Sequence, residues 1–122
     1  TLTYDEARNR FPADYHRFET RDPEFTFPEG GESLREFASR IGATLEGIAR
    51  RHQGGMVLVV THGGVLECVH HWASQTSFAQ PRTFDIFNAS VNRLHWDGER
   101  AHIRSWGEIG HLQRETLDEV DR

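Results

Sequence analysis

At 122 residues the chain has room for one compact domain with a modest core, residues 1–122 as a single unit. Hydrophobic residues at 36 % and charged residues at 27 % describe a globular chain, not a disordered or fibrous one. The net charge of -5 excludes a broad nucleic-acid surface but leaves room for a locally positive pocket. The one cysteine, Cys68, has no partner for an internal disulfide. No apolar run has the length of a membrane span and the first residues carry no secretion pattern, so the cytoplasm is the expected compartment.

Thr3 and Glu6 are spaced as a capping box, and the following residues to Arg10 read as a helix that Pro12 ends. "PADYHRFETR" reads as a second short helix or turn, and "RDPEFTFPEGG", with two prolines and two closing glycines, as a loop. Ser33 and Glu36 form another capping box. Behind it Leu34, Phe37, Ala38, Ile41, Leu45 and Ile48 recur at helical spacing. This face is expected to bury against a sheet, with Arg35, Arg40, Glu46 and Arg50 toward water; Gly54 and Gly55 stop the helix. Met56 to Val60 has the continuity of a strand covered on both faces. A helix over roughly residues 65–74 follows, then the loop "SQTSFAQPR". "ASVNRLHW" and "AHIRSW" flank Asp97-Gly98, a turn signal for an antiparallel hairpin, and "LQRETLDEVDR" reads as a loosely packed helix. The order of elements predicts an α/β fold with a mixed sheet.

In "MVLVVTHGG" the apolar run ends in a histidine and two glycines. His62 therefore stands just past the carboxyl end of a predicted strand, where ligands bind in open α/β sheets. Gly63 and Gly64 allow close backbone approach, and the next helix aims free N–H groups at the same place. The plainer alternative is a histidine that only caps the strand-helix turn. Glu32 and Ser33 open the long helix at the expected pocket rim, although capping accounts for them as well. Asn88 and Ser90 lie at a strand start and are also ordinary turn residues. His70-His71 lack the spacing of metal ligands, because neighbours on a helix diverge. Cys68 reads as a small core residue, and Trp72, Trp96 and Trp106 as core or rim aromatics. No Gly-x-Ser-x-Gly elbow exists to support a serine hydrolase.

Taken in order, "GGESLREFASRI", "VLVVTHGGVL", "FNASVNRLHW" and "GEIGHL" resemble the second half of the histidine phosphatase superfamily, the phosphoglycerate-mutase-like enzymes. "LTYDEARNRFP" resembles the stretch that follows that family's Trp-Glu-Gly segment. The resemblance implies a three-layer α/β/α mixed sheet, incomplete here on its N-terminal side. It also implies a phosphohistidine mechanism: an Arg-His-Gly histidine takes the phosphoryl group, a second histidine matching His62 completes the phosphate pocket, and a carboxylic acid protonates the leaving oxygen. Asn88 matches a stretch beside that pocket and His111 a family tail pattern. No metal ion or other cofactor is implied, and the implied partner is a small phosphorylated metabolite.

No Arg-His-Gly occurs in the chain; Arg51-His52 precedes Gln53 at a helix end. The chain also lacks an initiator Met. The expectation is a portion of a longer enzyme, inactive by itself, whose exposed sheet edges invite homodimers. Mutases of the family resemble "HGNSLR" at the second histidine, where this chain has "HGGVLE", with Gly64 and Glu67 replacing Asn and Arg. Thr3-Tyr4 likewise stands where mutases carry Asn-Lys. The expectation is therefore a phosphatase, with a mutase or a non-catalytic scaffold as the alternatives.

Overall fold

The computed structural model describes residues 2–28 and 30–112. The predicted helical tail falls almost wholly on residues 113–122, outside the described residues. Among the described residues four helices precede one hairpin: α1 (Tyr4–Arg10), α2 (Pro12–Glu19), α3 (Leu34–Arg51), α4 (Gly63–Ser74), β1 (Val91–Trp96) and β2 (Ala101–Glu108).

Both predicted capping boxes form. The Thr3 hydroxyl accepts from the Glu6 amide at 3.3 Å, and the Glu6 carboxylate accepts the Thr3 N–H at 2.7 Å. Ser33 and Glu36 repeat the exchange at 3.1 and 2.8 Å, with Ser33 buried. Each exchange satisfies two backbone donors, one at the cap and one in the first turn. Pro12 sits in the first turn of α2, where its missing N–H costs nothing. On α3 the Glu46 carboxylate accepts from the Arg50 guanidinium one turn on.

The apolar face of α3 packs on α4. Ile41, Cys68 and Val69 form the centre of the core, enclosed by Phe37, Ala38, Leu45, Val65, Phe78 and Trp106. This corrects the expectation that α3 lies on a sheet: among the described residues α4 takes that place, and β2 packs on α4. Gly42 permits the close approach, because a Cβ there would stand 3.0 Å from Trp72 Cδ1. Trp72 in turn stacks on Trp96 of the hairpin, ring centres 6.3 Å apart and planes within 11°.

The hairpin forms where Asp97-Gly98 predicts it, antiparallel, with Trp96 opposite Ala101 and Leu94 opposite Ile103. Asp97 accepts the N–H groups of Glu99 and Arg100 at 2.8 and 2.9 Å, and Gly98 takes the positive φ that the turn needs. The Arg100 N–H, the His102 ring and the Glu99 N–H, in that order, hold the Asp97 carboxyl well below the usual carboxylate range. Register breaks between Val91 and Leu94, and the Asn92 side chain accepts the Gly107 N–H at 2.7 Å in place of a ladder bond. Arg100 then ties the hairpin to the end of α4, donating to Gln75 Oε1 and to the Ala73 carbonyl.

Met56–Val60 departs from expectation. The run is neither helix nor turn, and no strand among the described residues pairs with it. Met56, Leu58 and Val60 are 95, 88 and 89 % exposed, and Val57 and Val59 45 and 48 %. A strand covered on both faces needs neighbours to supply its hydrogen bonds and its cover; the one ladder among the described residues joins β1 and β2 instead. The α/β class holds, and its sheet is here a two-stranded antiparallel one.

Candidate active site

The exposed run leads into α4 through Thr61 and then His62, the N-cap of the helix. Its backbone is extended (φ -124°, ψ 165°), its side chain makes no capping bond, and it is exposed. The first helical bond runs from the Leu66 N–H to the His62 carbonyl at 3.0 Å. The N–H groups of Gly63, Gly64 and Val65 therefore have no helical acceptor and add their partial positive charge at the helix start. A Cβ on Gly64 would meet nothing within 4 Å, and one on Gly63 would meet only Ile86, at 3.7 Å. Gly63 and Gly64 thus carry no side chain that would keep an oxyanion from the helix start.

Ile86 belongs to a loop held firmly beside α4. Trp106 Nε1–H donates to the Asp85 carbonyl at 2.9 Å, and the Phe84 ring stacks on His70 with centres 3.5 Å apart. The same loop turns at Phe87–Ser90, with Ala89 at φ 55° and the Ser90 N–H reaching the Phe87 carbonyl. Asn88 is exposed on that turn, and Ser90 accepts from the Asn92 amide. Gly63 and Ile86 thus come together, with His62 the residue before Gly63 and Asn88 two residues past Ile86.

Glu32 and Ser33 are engaged at the start of α3. Arg40 grips Glu32 with two bonds of 2.9 Å, and these hold the Glu32 carboxyl below its ordinary range. Ser33 gives its hydroxyl to the α3 cap. His111 is exposed beyond β2, and His52 is the residue on which α3 ends. Cys68 lies in the core as expected, and burial pushes its thiol up to about 11.

One constellation escaped the sequence reading. Glu67, buried on α4, pairs with Arg21, which reaches it from the loop after α2 at a backbone φ of 58°. One turn on, the buried His71 ring shares a 2.8 Å hydrogen bond with the Thr76 hydroxyl and lies against Phe78. Burial lowers the pKa of His71, with Arg21 as the second cause; burial and then His71 lower that of His70. The available signal was an acidic residue on an otherwise apolar turn, Leu66 to Val69.

Among the described residues no three His, Cys, Asp or Glu side chains gather as a metal site, and no helix is long and apolar enough to cross a membrane. Two open clefts lie beside Phe78, one lined by Pro23, Arg35 and Thr76 and the other by Arg21, Gln80 and Arg82. His62 lines neither.

The comparisons with known proteins agree with one another. The sequence profile of the histidine phosphatase superfamily (branch 1) matches residues 1–109. A metal-independent phosphoserine phosphatase of Arabidopsis thaliana is 37 % identical over 91 % of this chain and 45 % of its own length. Phosphoglycerate mutase-like protein 4 of the same plant is 34 % identical over 92 % of the chain and 48 % of its own length. Among solved structures, Bacillus stearothermophilus YhfR superimposes with a TM-score of 0.75 at 28 % identity, over 90 % of this chain and 55 % of its own. The chain thus spans about half the length of the relatives it matches. With its α/β fold, its ordered motifs and a profile match over nearly its whole length, the chain belongs to the histidine phosphatase superfamily.

Proposed function

We propose that this chain carries the His62 half of a phosphoryl-transfer site, in an enzyme that hydrolyses a small phosphate ester through a phosphohistidine. The supporting observation is the open start of α4, where an exposed His62 stands beside amides that no helical acceptor occupies. A nucleophilic histidine, supplied by the part of the domain outside these 122 residues, attacks phosphorus as the bond to the ester oxygen breaks. An acid group protonates that oxygen, and water then attacks the phosphohistidine to release inorganic phosphate. His62 and the Gly63 and Gly64 amides donate to the phosphoryl oxygens, whose charge grows in both steps. Gly63, Gly64 and Asn88 line the approach, while Glu32 and Ser33 hold the start of α3 at the rim.

Phosphatase is favoured over mutase by Glu67. The residue that replaces the mutase arginine is buried and paired with Arg21, so it offers no cation to a substrate carboxylate. The test is a chimera with the upstream portion of the Arabidopsis phosphoserine phosphatase fused ahead of Thr1. It should hydrolyse p-nitrophenyl phosphate with or without a chelator, and the isolated chain should not. Absence of turnover in a folded chimera contradicts the proposal, as does complete, metal-reversible loss with chelator. Interconversion of 2- and 3-phosphoglycerate that outpaces ester hydrolysis would instead select the mutase reading.

A further inference from the structure

The segment after α2 and the segment after α4 meet across a cleft that the proposed reaction does not use. The cleft measures about 490 Å³ and is lined by Thr20, Arg21, Phe78, Gln80, Pro81 and Arg82. That size falls among small-ligand sites, which span roughly 300–1,000 Å³. Two arginines line it on a chain whose net charge is -5.

Both walls are built before anything binds. On one side Arg21 pairs through Nη1 with the buried Glu67, so its side chain is already held, yet it stays 39 % exposed. The Nε and Nη2 donors of the same guanidinium are left for a ligand. On the other side Ser77 accepts the Ala79 N–H on its hydroxyl and the Gln80 N–H on its carbonyl, both at 3.1 Å. Pro81 stiffens the next step of this tight turn, which carries Gln80 and Arg82 into the lining.

The surrounding charges leave a surplus cation. Asp22 and Glu24, which follow Arg21 in the chain, are held by Arg17 and Arg35, and Glu67 is held by Arg21. Arg82 is exposed and has neither an ion pair nor a hydrogen-bond partner among the described residues. Two cations that share one cleft repel each other until an anion lies between them. Their planar forks match the paired oxygens of a phosphate or carboxylate, while Phe78 and Pro81 offer an apolar surface.

We propose that this cleft binds a small organic anion, its phosphate or carboxylate group between Arg21 and Arg82 and its carbon body against Phe78 and Pro81. The Gln80 side-chain amide donates to the same oxygens. His62 does not line the cleft, so this site does not rest on the phosphoryl-transfer reading.

The test titrates the 122-residue chain with phenylphosphonate, which has no ester bond to hydrolyse, and follows the side-chain N–H signals of its arginines and Gln80 by NMR. The result expected is saturable shifts at Arg21, Gln80 and Arg82, with a dissociation constant on the order of 1 mM or below. Arg82→Gln should weaken binding about tenfold or more, and Arg82→Lys should recover part of the loss through its charge. Both should keep the parent's circular dichroism, since Arg82 is exposed and unpaired. Arg21→Lys retains a cation for Glu67 but loses the planar fork, and should also weaken binding. His62→Ala should leave these shifts unchanged. Benzoate run in parallel separates a carboxylate site from a phosphate site, according to which anion binds more tightly. Absence of saturable shifts overturns the proposal, as do shifts confined to residues 62–66. So does an Arg82→Gln variant that binds as the parent does, or uncharged benzyl alcohol that binds as well as the two anions.

Discussion

Two glycines in α3 invite the same substitution and should answer with opposite signs. Alanine in a helix interior is favoured over glycine by about 1 kcal/mol when nothing obstructs the methyl group. At Gly47 the nearest atom to a new Cβ is Arg51 Nη1 at 3.5 Å, the free end of a flexible side chain, so Gly47→Ala should stabilise by roughly 0.5–1 kcal/mol. At Gly42 the new Cβ stands 3.0 Å from Trp72 Cδ1 and 3.4 Å from Nε1. Trp72 has little room to retreat, since its other neighbour is the parallel ring of Trp96. Overpacking of this kind costs about 1–3 kcal/mol, which offsets or exceeds the helical gain. The expected net effect of Gly42→Ala is therefore a loss of about 0–2 kcal/mol. Urea unfolding followed by circular dichroism at 222 nm reads the gap, with the two midpoints on either side of the parent's and roughly 1 M apart. If Gly42→Ala unfolds at the same urea concentration as Gly47→Ala or above it, the α3–α4 contact does not depend on that close approach.

Two further outcomes follow from the titratable groups. The pKa values of His70 and His71 are lowered chiefly by burial, so the folded state favours their neutral rings. The unfolded chain then binds more protons, and this contribution to stability is present above the ordinary histidine value near 6.5 and is lost as pH falls through the folded value. Unfolding midpoints should drop between pH 7 and pH 5, and less so in His71→Gln; an unchanged pH dependence in that variant would remove His71 as a source. Cys68, with its thiol pushed up to about 11 in the core, should react with a thiol reagent at pH 8 only as fast as the chain opens. Rapid labelling in the absence of denaturant would contradict its burial.

Local chemistry accounts for what was legible in the sequence. The capping boxes at Thr3 and Ser33 and the turn at Asp97-Gly98 are decided within four residues, and each forms where it is read. The strand at Met56–Val60 was legible as an apolar run, but a strand exists only through its neighbours, and no strand among the described residues pairs with it. The partner of Glu67 was not legible, because Arg21 comes from a proline-bearing loop that no periodicity links to α4. The position of His62 past an apolar run was plain in the sequence; its open surroundings needed the fold, since Ile86 and the Trp106-anchored loop define them.

The role of His62 is the centre of the account. The most direct measurement is p-nitrophenyl phosphate turnover in the chimera completed upstream of Thr1, compared with the same protein carrying His62→Ala. Loss of a donor aimed at the transferring phosphoryl group predicts a fall in kcat on the order of 10² or more, with the fold unchanged by circular dichroism. Turnover within a few-fold of the parent would place His62 outside the reaction.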